Sequence, residues 1–222
     1  MKYMKMLGLA AVAALALMAV VGAGTASAAA VVCSTTGETA NATCTTAGSK
    51  QVKNGQAIDA TLKPGTVAEL TSTFDNVKCS TSTVAGQVTN GGTGAGDIES
   101  MTFSSCTDSF GGTCTADTSA SSANKWPATT TAHQNNAETG EKHDGNGTMT
   151  VTNITGKFSC PIGTCRYTAS SATTTVTGGE PATVTATKVS LNREEVSSFG
   201  CSATATWSGT YTVTTPNSLW LY

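Results

Sequence analysis

Metal-ligating side chains cluster at one place in this 222-residue chain, the group His133, Glu138, His143 and Asp144, with Glu141 between them. Their spacing is irregular and their neighbours are Asn, Thr and Gly, with nothing to supply the outer hydrogen bonds that hold a metal site. The group reads as a solvated polar loop, and no metal or other cofactor is expected. Asp144-Gly-Asn146-Gly-Thr148 resembles the opening of a calcium loop. Met149 then stands at the sixth position and Thr155 at the twelfth, where Gly and Glu are required. Acyl-transfer chemistry lacks its signature, since no G-x-S-x-G occurs. A glycosidase needs only two facing carboxylates. Asp59, Asp75, Asp97, Glu99, Asp108 and Asp117 are candidates, but their spacing selects no pair. No catalytic residue is assigned, and a small secreted hydrolase with a carboxylate pair stays as an alternative.

Trp126, Trp207 and Tyr211 are the candidate ligand-binding residues. Rings on an exposed β-face can stack on sugars and offer a polar edge as well. That chemistry points to a carbohydrate-binding module using exposed aromatics. The competing reading has them fill a core that is short of Leu and Ile. Trp126, among polar neighbours, is either a ligand contact or a plug that pins its loop to the sheet.

Eight cysteines, Cys33, Cys44, Cys79, Cys106, Cys114, Cys160, Cys165 and Cys201, form an even set without any C-x-x-C pair. Behind an export signal such a set reads as a disulfide framework. The favoured scheme staples Cys33/Cys44, Cys106/Cys114 and Cys160/Cys165 locally and clamps Cys79 to Cys201. A rival scheme pairs Cys79 with Cys106 and Cys165 with Cys201.

The elements that must position these groups are strands. Thr148–Thr155, Thr183–Val189 and Ser202–Trp207 alternate with period two and are rich in Thr and Val. Further strands are expected over 66–74, 78–84, 98–104, 164–169, 172–178 and 218–222. Ser208-Gly209, between Thr206-Trp207 and Thr210-Tyr211, reads as a two-residue hairpin turn. Asn90–Gly94 reads as a loop, and 116–147 as a long polar one. The fold class is therefore all-β, an antiparallel sandwich or barrel stapled by disulfides.

Lys2 and Lys5, the apolar run Met6–Val21 and the triplet Ala26-Ser27-Ala28 have the layout of a cleaved secretory signal. The expected domains are a signal peptide at 1–28 and a single secreted all-β domain at 29–222. After cleavage 10 basic side chains face 14 acidic ones, a net charge of −4. So mild an acidity provides no field for nucleic acid. No second long apolar stretch follows, so no transmembrane segment is expected. Charged residues make up 12% of the chain and aromatics 5%, whereas threonine alone accounts for 43 positions. That composition excludes a coiled coil and a helical bundle.

Val77-Lys-Cys79-Ser, the Ile98-to-Cys106 strand with Met101-Thr-Phe103, Trp126-Pro127, Cys165-Arg-Tyr167 and Cys201 follow the Ala-rich leader. Together they resemble a group of secreted, disulfide-bearing, β-rich proteins common in actinobacteria-like genomes. The resemblance implies an exported all-β fold and carries no catalytic residues. The expected role is a non-catalytic secreted or cell-envelope structural or interaction protein. Its partner would be cell-wall or extracellular polysaccharide, or another surface protein.

Overall fold

A computed structural model describes residues 30–34, 50–133, 145–194 and 200–222. The signal segment, Cys44, Glu138, Glu141, His143 and Asp144 lie outside these residues. Thirteen strands follow in chain order among the described residues: β1 (Val32–Ser34), β2 (Lys50–Gln51), β3 (Ala57–Leu62), β4 (Ala68–Ser72), β5 (Asn76–Asn90), β6 (Ala95–Thr107), β7 (Thr113–Thr118), β8 (Trp126–Ala132), β9 (Gly147–Cys160), β10 (Gly163–Thr177), β11 (Thr183–Arg193), β12 (Thr204–Thr215) and β13 (Trp220–Leu221).

Of the two architectures the sequence allows, the chain adopts the barrel. Ten of these strands close into an eight-stave antiparallel barrel in which each stave pairs with the next along the chain. Two staves are each built from two short collinear strands. β3 and β4 both lie between β5 and β12. β7 and β8 both lie between β6 and β9. Between β3 and β4, Pro64-Gly65 interrupts the stave, with Gly65 at φ +78° and the Thr66 N–H donating to the Lys63 carbonyl at 3.1 Å. Proline removes a ladder donor and glycine accepts the positive φ, so the chain leaves the sheet there and returns.

Alternation sends small and apolar side chains inward and hydroxyls outward. Along β10, Ala169, Ala172, Thr174 and Val176 are buried, while Ser170, Ser171, Thr173, Thr175 and Thr177 are exposed. This polarity is the reverse of a lipid-embedded barrel, whose apolar band faces out. Strands of 11 to 15 residues cannot keep strict alternation in a twisted, closed sheet, and β-bulges correct it. Three of the register shifts lie between Ala85 and Gly86, between Val88 and Asn90, and between Ala186 and Val189, where Lys188 has φ 50°. At the third, Ala186 and Val189 both stay buried although three positions separate them. The Lys188 N–H donates to Ser208 Oγ at 2.9 Å there.

The two ends of the barrel are built differently. One rim carries the turns at 72–76, 107–113 and 160–163, and the segment joining β11 to β12. Disulfides Cys79–Cys106, Cys114–Cys160 and Cys165–Cys201 cross-link this rim. Two of these are the rival pairs, so the Cys79/Cys201 clamp and the local Cys106/Cys114 and Cys160/Cys165 staples are corrected. Cys106 and Cys114 do face each other across β6 and β7, but each bonds to a neighbour on its other side. Cys33 is also disulfide-bonded. At the opposite rim β1, β2 and β13 form a three-stranded sheet across the barrel mouth. Val31 and Tyr222 exchange backbone hydrogen bonds, Val32 donates to Gly91 and Leu221 to Gly145.

Other expectations are also corrected. Ser208-Gly209 is not a hairpin turn but the middle of β12, which runs unbroken from Thr204 to Thr215. The pattern T-W-S-G-T-Y looks turn-like only until β11 and β4 pair with it on either side. The segment 116–147 is not one continuous loop: 116–118 finish β7, Trp126–Ala132 form β8 between β6 and β9, and 134–144 lie outside the described residues. Residues 164–169 and 172–177 belong to one strand, β10, which pairs with β9 in unbroken register.

Candidate ligand-binding lumen

An eight-stave barrel is just wide enough for side chains to fill it, so the size of its inward residues decides whether it is solid. Near the disulfide rim it is solid: Leu70, Val77, Cys79, Cys106, Cys114 and Tyr167 are all buried. The Tyr167 hydroxyl donates to the Ser202 carbonyl at 3.3 Å. Farther along, six inward positions are Ala60, Gly86, Gly96, Ala128, Ala172 and Ala186. Side chains this small leave a cavity of about 210 Å³.

Larger apolar groups complete its wall. Met101 and Met149 bring polarizable thioethers, which adapt to irregular shapes. Phe103 and Phe158 pack with ring centroids 6.4 Å apart. Val32, Leu219 and Leu221 cover the mouth from the terminal sheet. No Lys, Arg or His lines the lumen among the described residues; Asp97 and Gln87 border it, with their side chains engaged by Lys125 and Glu99.

The three aromatic candidates all converge on this lumen. Trp126 is 3% exposed and Tyr211 4% exposed, with Trp207 partly buried. They are not the exposed sugar-stacking face expected from sequence, which is a correction of orientation. Trp126 does act as the plug for its segment, and its indole N–H donates to Ser119 Oγ at 3.2 Å. The rings of Trp207 and Tyr211 lie 6.1 Å apart. They are two residues apart on each side of Gly209, whose missing side chain makes room for them: a Cβ there would sit 3.1 Å from the Tyr211 ring and 3.4 Å from Trp207.

One polar group projects into this apolar space. Tyr211 Oη lies 3.0 Å from Ser82 Oγ, and Ser82 in turn donates its proton to the Thr102 carbonyl at 2.7 Å. Ser82 has one proton to give, so the tyrosine hydroxyl is the donor between them. Burial pushes the Tyr211 hydroxyl up to about 12, with the Ser82 bond partly opposing that shift. Thr118, Thr130 and Thr174 also border the lumen, but each hydroxyl bonds to a strand carbonyl, of Met101, Gly94 and Met149. The wall therefore presents little to a charged molecule and much to an apolar one.

The carboxylates of the hydrolase alternative are dispersed. Asp97 and Glu99 share Lys125, whose Nζ is 3.9 Å and 2.5 Å from them, and Glu99 also accepts from Gln87 at 2.8 Å. The Glu99 hydrogen bond raises the Lys125 pKa. Asp75 and Asp108 hold rim turns. Asp59 lies on β3 and Asp117 on β7. His133 is exposed just after β8. Asp108, Cys114 and Cys160 come within 4.8 Å of one another. The two cysteines form a disulfide, and Asp108 accepts turn N–H groups, so this triplet offers no thiolate to a metal.

Sequence reasoning missed the lumen itself. Its available signal was the run of Ala and Gly at inward positions, which is read as a void only once the staves are closed. Comparison with protein-family models, curated proteins and solved structures finds no match. No helix among the described residues is long and apolar enough to cross a membrane.

Proposed function

We propose that this chain is an exported, non-catalytic barrel that binds a small, uncharged apolar molecule in its lumen. The observation carrying this reading is the apolar cavity of about 210 Å³ bordered by two methionines, five aromatic side chains and nine Ala or Gly positions. An apolar cavity of roughly 150 Å³ accepts a benzene-sized guest. This one suits a somewhat larger ring or short branched hydrocarbon skeleton. A carboxylate or ammonium group would lose its hydration there without gaining a countercharge. One ligand hydroxyl can donate to the Tyr211 oxygen, whose own proton is given to Ser82. The cysteine framework and the signal-like leader support export, since disulfides persist in oxidising compartments.

The test is titration of the oxidised protein with the neutral two-ring naphthyl dye 1-naphthylamine, whose size suits a cavity of about 210 Å³. Trp126 and Trp207 border the cavity, so energy transfer from tryptophan reports binding. One saturable site is expected, with competition by neutral monocyclic hydrocarbons and not by disaccharides. Ala186→Leu, which fills the lumen, should weaken the dye at least tenfold while the barrel stays folded. Absence of saturable binding, or binding indifferent to Ala186→Leu, rejects the reading.

A further inference from the structure

Among the described residues, the large apolar side chains left exposed are Val67, Phe74, Phe110 and Ile162. Val67 lies where β3 breaks into β4, on the side wall. The other three occupy three hairpin turns of the disulfide rim, Phe74 at 67% exposure, Phe110 at 76% and Ile162 at 54%. Chance exposure scatters such residues singly over a surface, whereas clustering at one end marks an interaction site.

The turns that present them are fastened to one another. The Asp75 carboxylate, one residue after Phe74, accepts the Ser109 backbone N–H at 3.0 Å and also its hydroxyl. Ser109 Oγ lies 3.2 Å from the Asn76 N–H, which donates to it. Asp108 Oδ1 accepts from Phe110 N–H at 3.0 Å and from Gly112 N–H at 2.6 Å, with Gly111 at φ +82°. A Cβ on Gly112 would lie 2.9 Å from Pro161 Cγ, so the Phe110 turn abuts the Ile162 turn. Cys114–Cys160 joins the strands beneath. The three side chains are thus held outward from a fixed platform and do not fold back onto the barrel.

We propose that this rim docks on a neutral lipid surface, with Phe74, Phe110 and Ile162 entering the bilayer interface. Three separate tips flanked by Thr73, Asp75, Ser109, Gly111 and Gly163 do not make a continuous face. A stable protein partner, a second copy included, needs about 800 Å² of complementary surface on each side. A bilayer accepts apolar side chains one at a time. Charge points to neutral lipid as well. None of the three turns carries a Lys or Arg, the nearby Lys78 faces Glu69 at 3.5 Å, and Asp75 and Asp108 are engaged within the turns. The inference is independent of what the lumen holds.

The experiment is flotation of the oxidised protein with phosphatidylcholine vesicles at low and high salt, in parallel with light scattering of the protein alone. The wild type should float with the vesicles regardless of salt and remain monomeric. Phe74→Ser and Phe110→Ser should each weaken partitioning about tenfold, as expected for a mostly buried phenyl. Both sites are exposed, so near-ultraviolet circular dichroism should be unchanged and confirm folding. Val67→Ser, on the side wall, should leave flotation unaltered. No flotation of the wild type, flotation that requires anionic lipid, or flotation indifferent to both Phe substitutions overturns the proposal. A dimer that the same substitutions dissolve also overturns it and assigns the tips to a second copy.

Discussion

The two ends of the barrel close by different physics. At the disulfide rim, Leu70, Val77 and Tyr167 fill the interior, two disulfides tie neighbouring staves and a third ties β10 to the segment before β12. At the other end, the chain termini lie across the mouth on backbone hydrogen bonds and a few apolar side chains, Val32, Leu219 and Leu221, with Cys33 of β1 disulfide-bonded within that cover. The interior between them is the least filled part. A small barrel with few large aliphatic residues can leave space inside only if something else sustains the wall. Disulfides that constrain the unfolded chain are suited to that task, and they sit where packing is already complete. The end covered without a cross-link between barrel staves is the one whose opening costs least, so it is the expected path into the lumen.

Reducing the rim disulfides is the strongest way to break this contrast. Removal of a native disulfide from a small domain costs about 2–5 kcal/mol. Cys79→Ala with Cys106→Ala should therefore lower the denaturation midpoint sharply in urea titrations, and full reduction should unfold the barrel near 37 °C. A pair of leucines then separates the two ends. Leu70→Ala, in the packed end, and Leu221→Ala, over the mouth, should each cost about 2–4 kcal/mol by cavity formation. Stopped-flow release of the naphthyl dye should accelerate for Leu221→Ala and remain unchanged for Leu70→Ala. Equal release rates would remove the distinction between a closed floor and an opening cap.

The middle of the barrel is probed by pH. Below about pH 10 Tyr211 is protonated in both folded and unfolded chains, and the stability its buried hydroxyl contributes is intact. Between about 10 and its folded value of about 12, the unfolded chain ionises first. Stability should therefore fall by about 2 kcal/mol over that window. Tyr211→Phe should flatten that part of the profile, at a cost near neutrality of about 1 kcal/mol for the lost Ser82 bond. Tyr167, raised mainly by its own burial, supplies the slope that remains. The smallest effect belongs to the outer wall. Lys125→Met removes a solvent-screened ion pair with Glu99 and should leave the urea midpoint nearly unchanged. It should leave dye affinity untouched, because the pair lies outside the lumen.

Period-two runs of Thr and Val were legible as strands because each such residue suits a pleated surface with one dry side. Thr148–Thr155 and Thr183–Val189 lie within β9 and β11. The β8 strand escaped notice because Pro127 and a polar neighbourhood argued against it. Yet Trp126 is drawn inside by β6 and β9, and Pro127 and Thr129 remain outside. The aromatic candidates turn inward, as the competing core reading had them. Residue type specifies that a ring wants apolar company, but not whether a core or an external ligand supplies it.

From sequence alone, then, come the all-β class and the use of the cysteines in disulfides, because these depend on composition and local period. The tertiary structure decided the rest: closure into a barrel, the pairing of Cys79 with Cys106 and Cys165 with Cys201, and the inward turn of Trp126, Trp207 and Tyr211. Each depends on which staves become neighbours. Register shifts along β5 and at Ala186/Val189 then reset which side chains face inward, and a single inserted residue reverses the face of everything beyond it. The lumen is the sum of those choices, made where inward positions happen to be Ala and Gly.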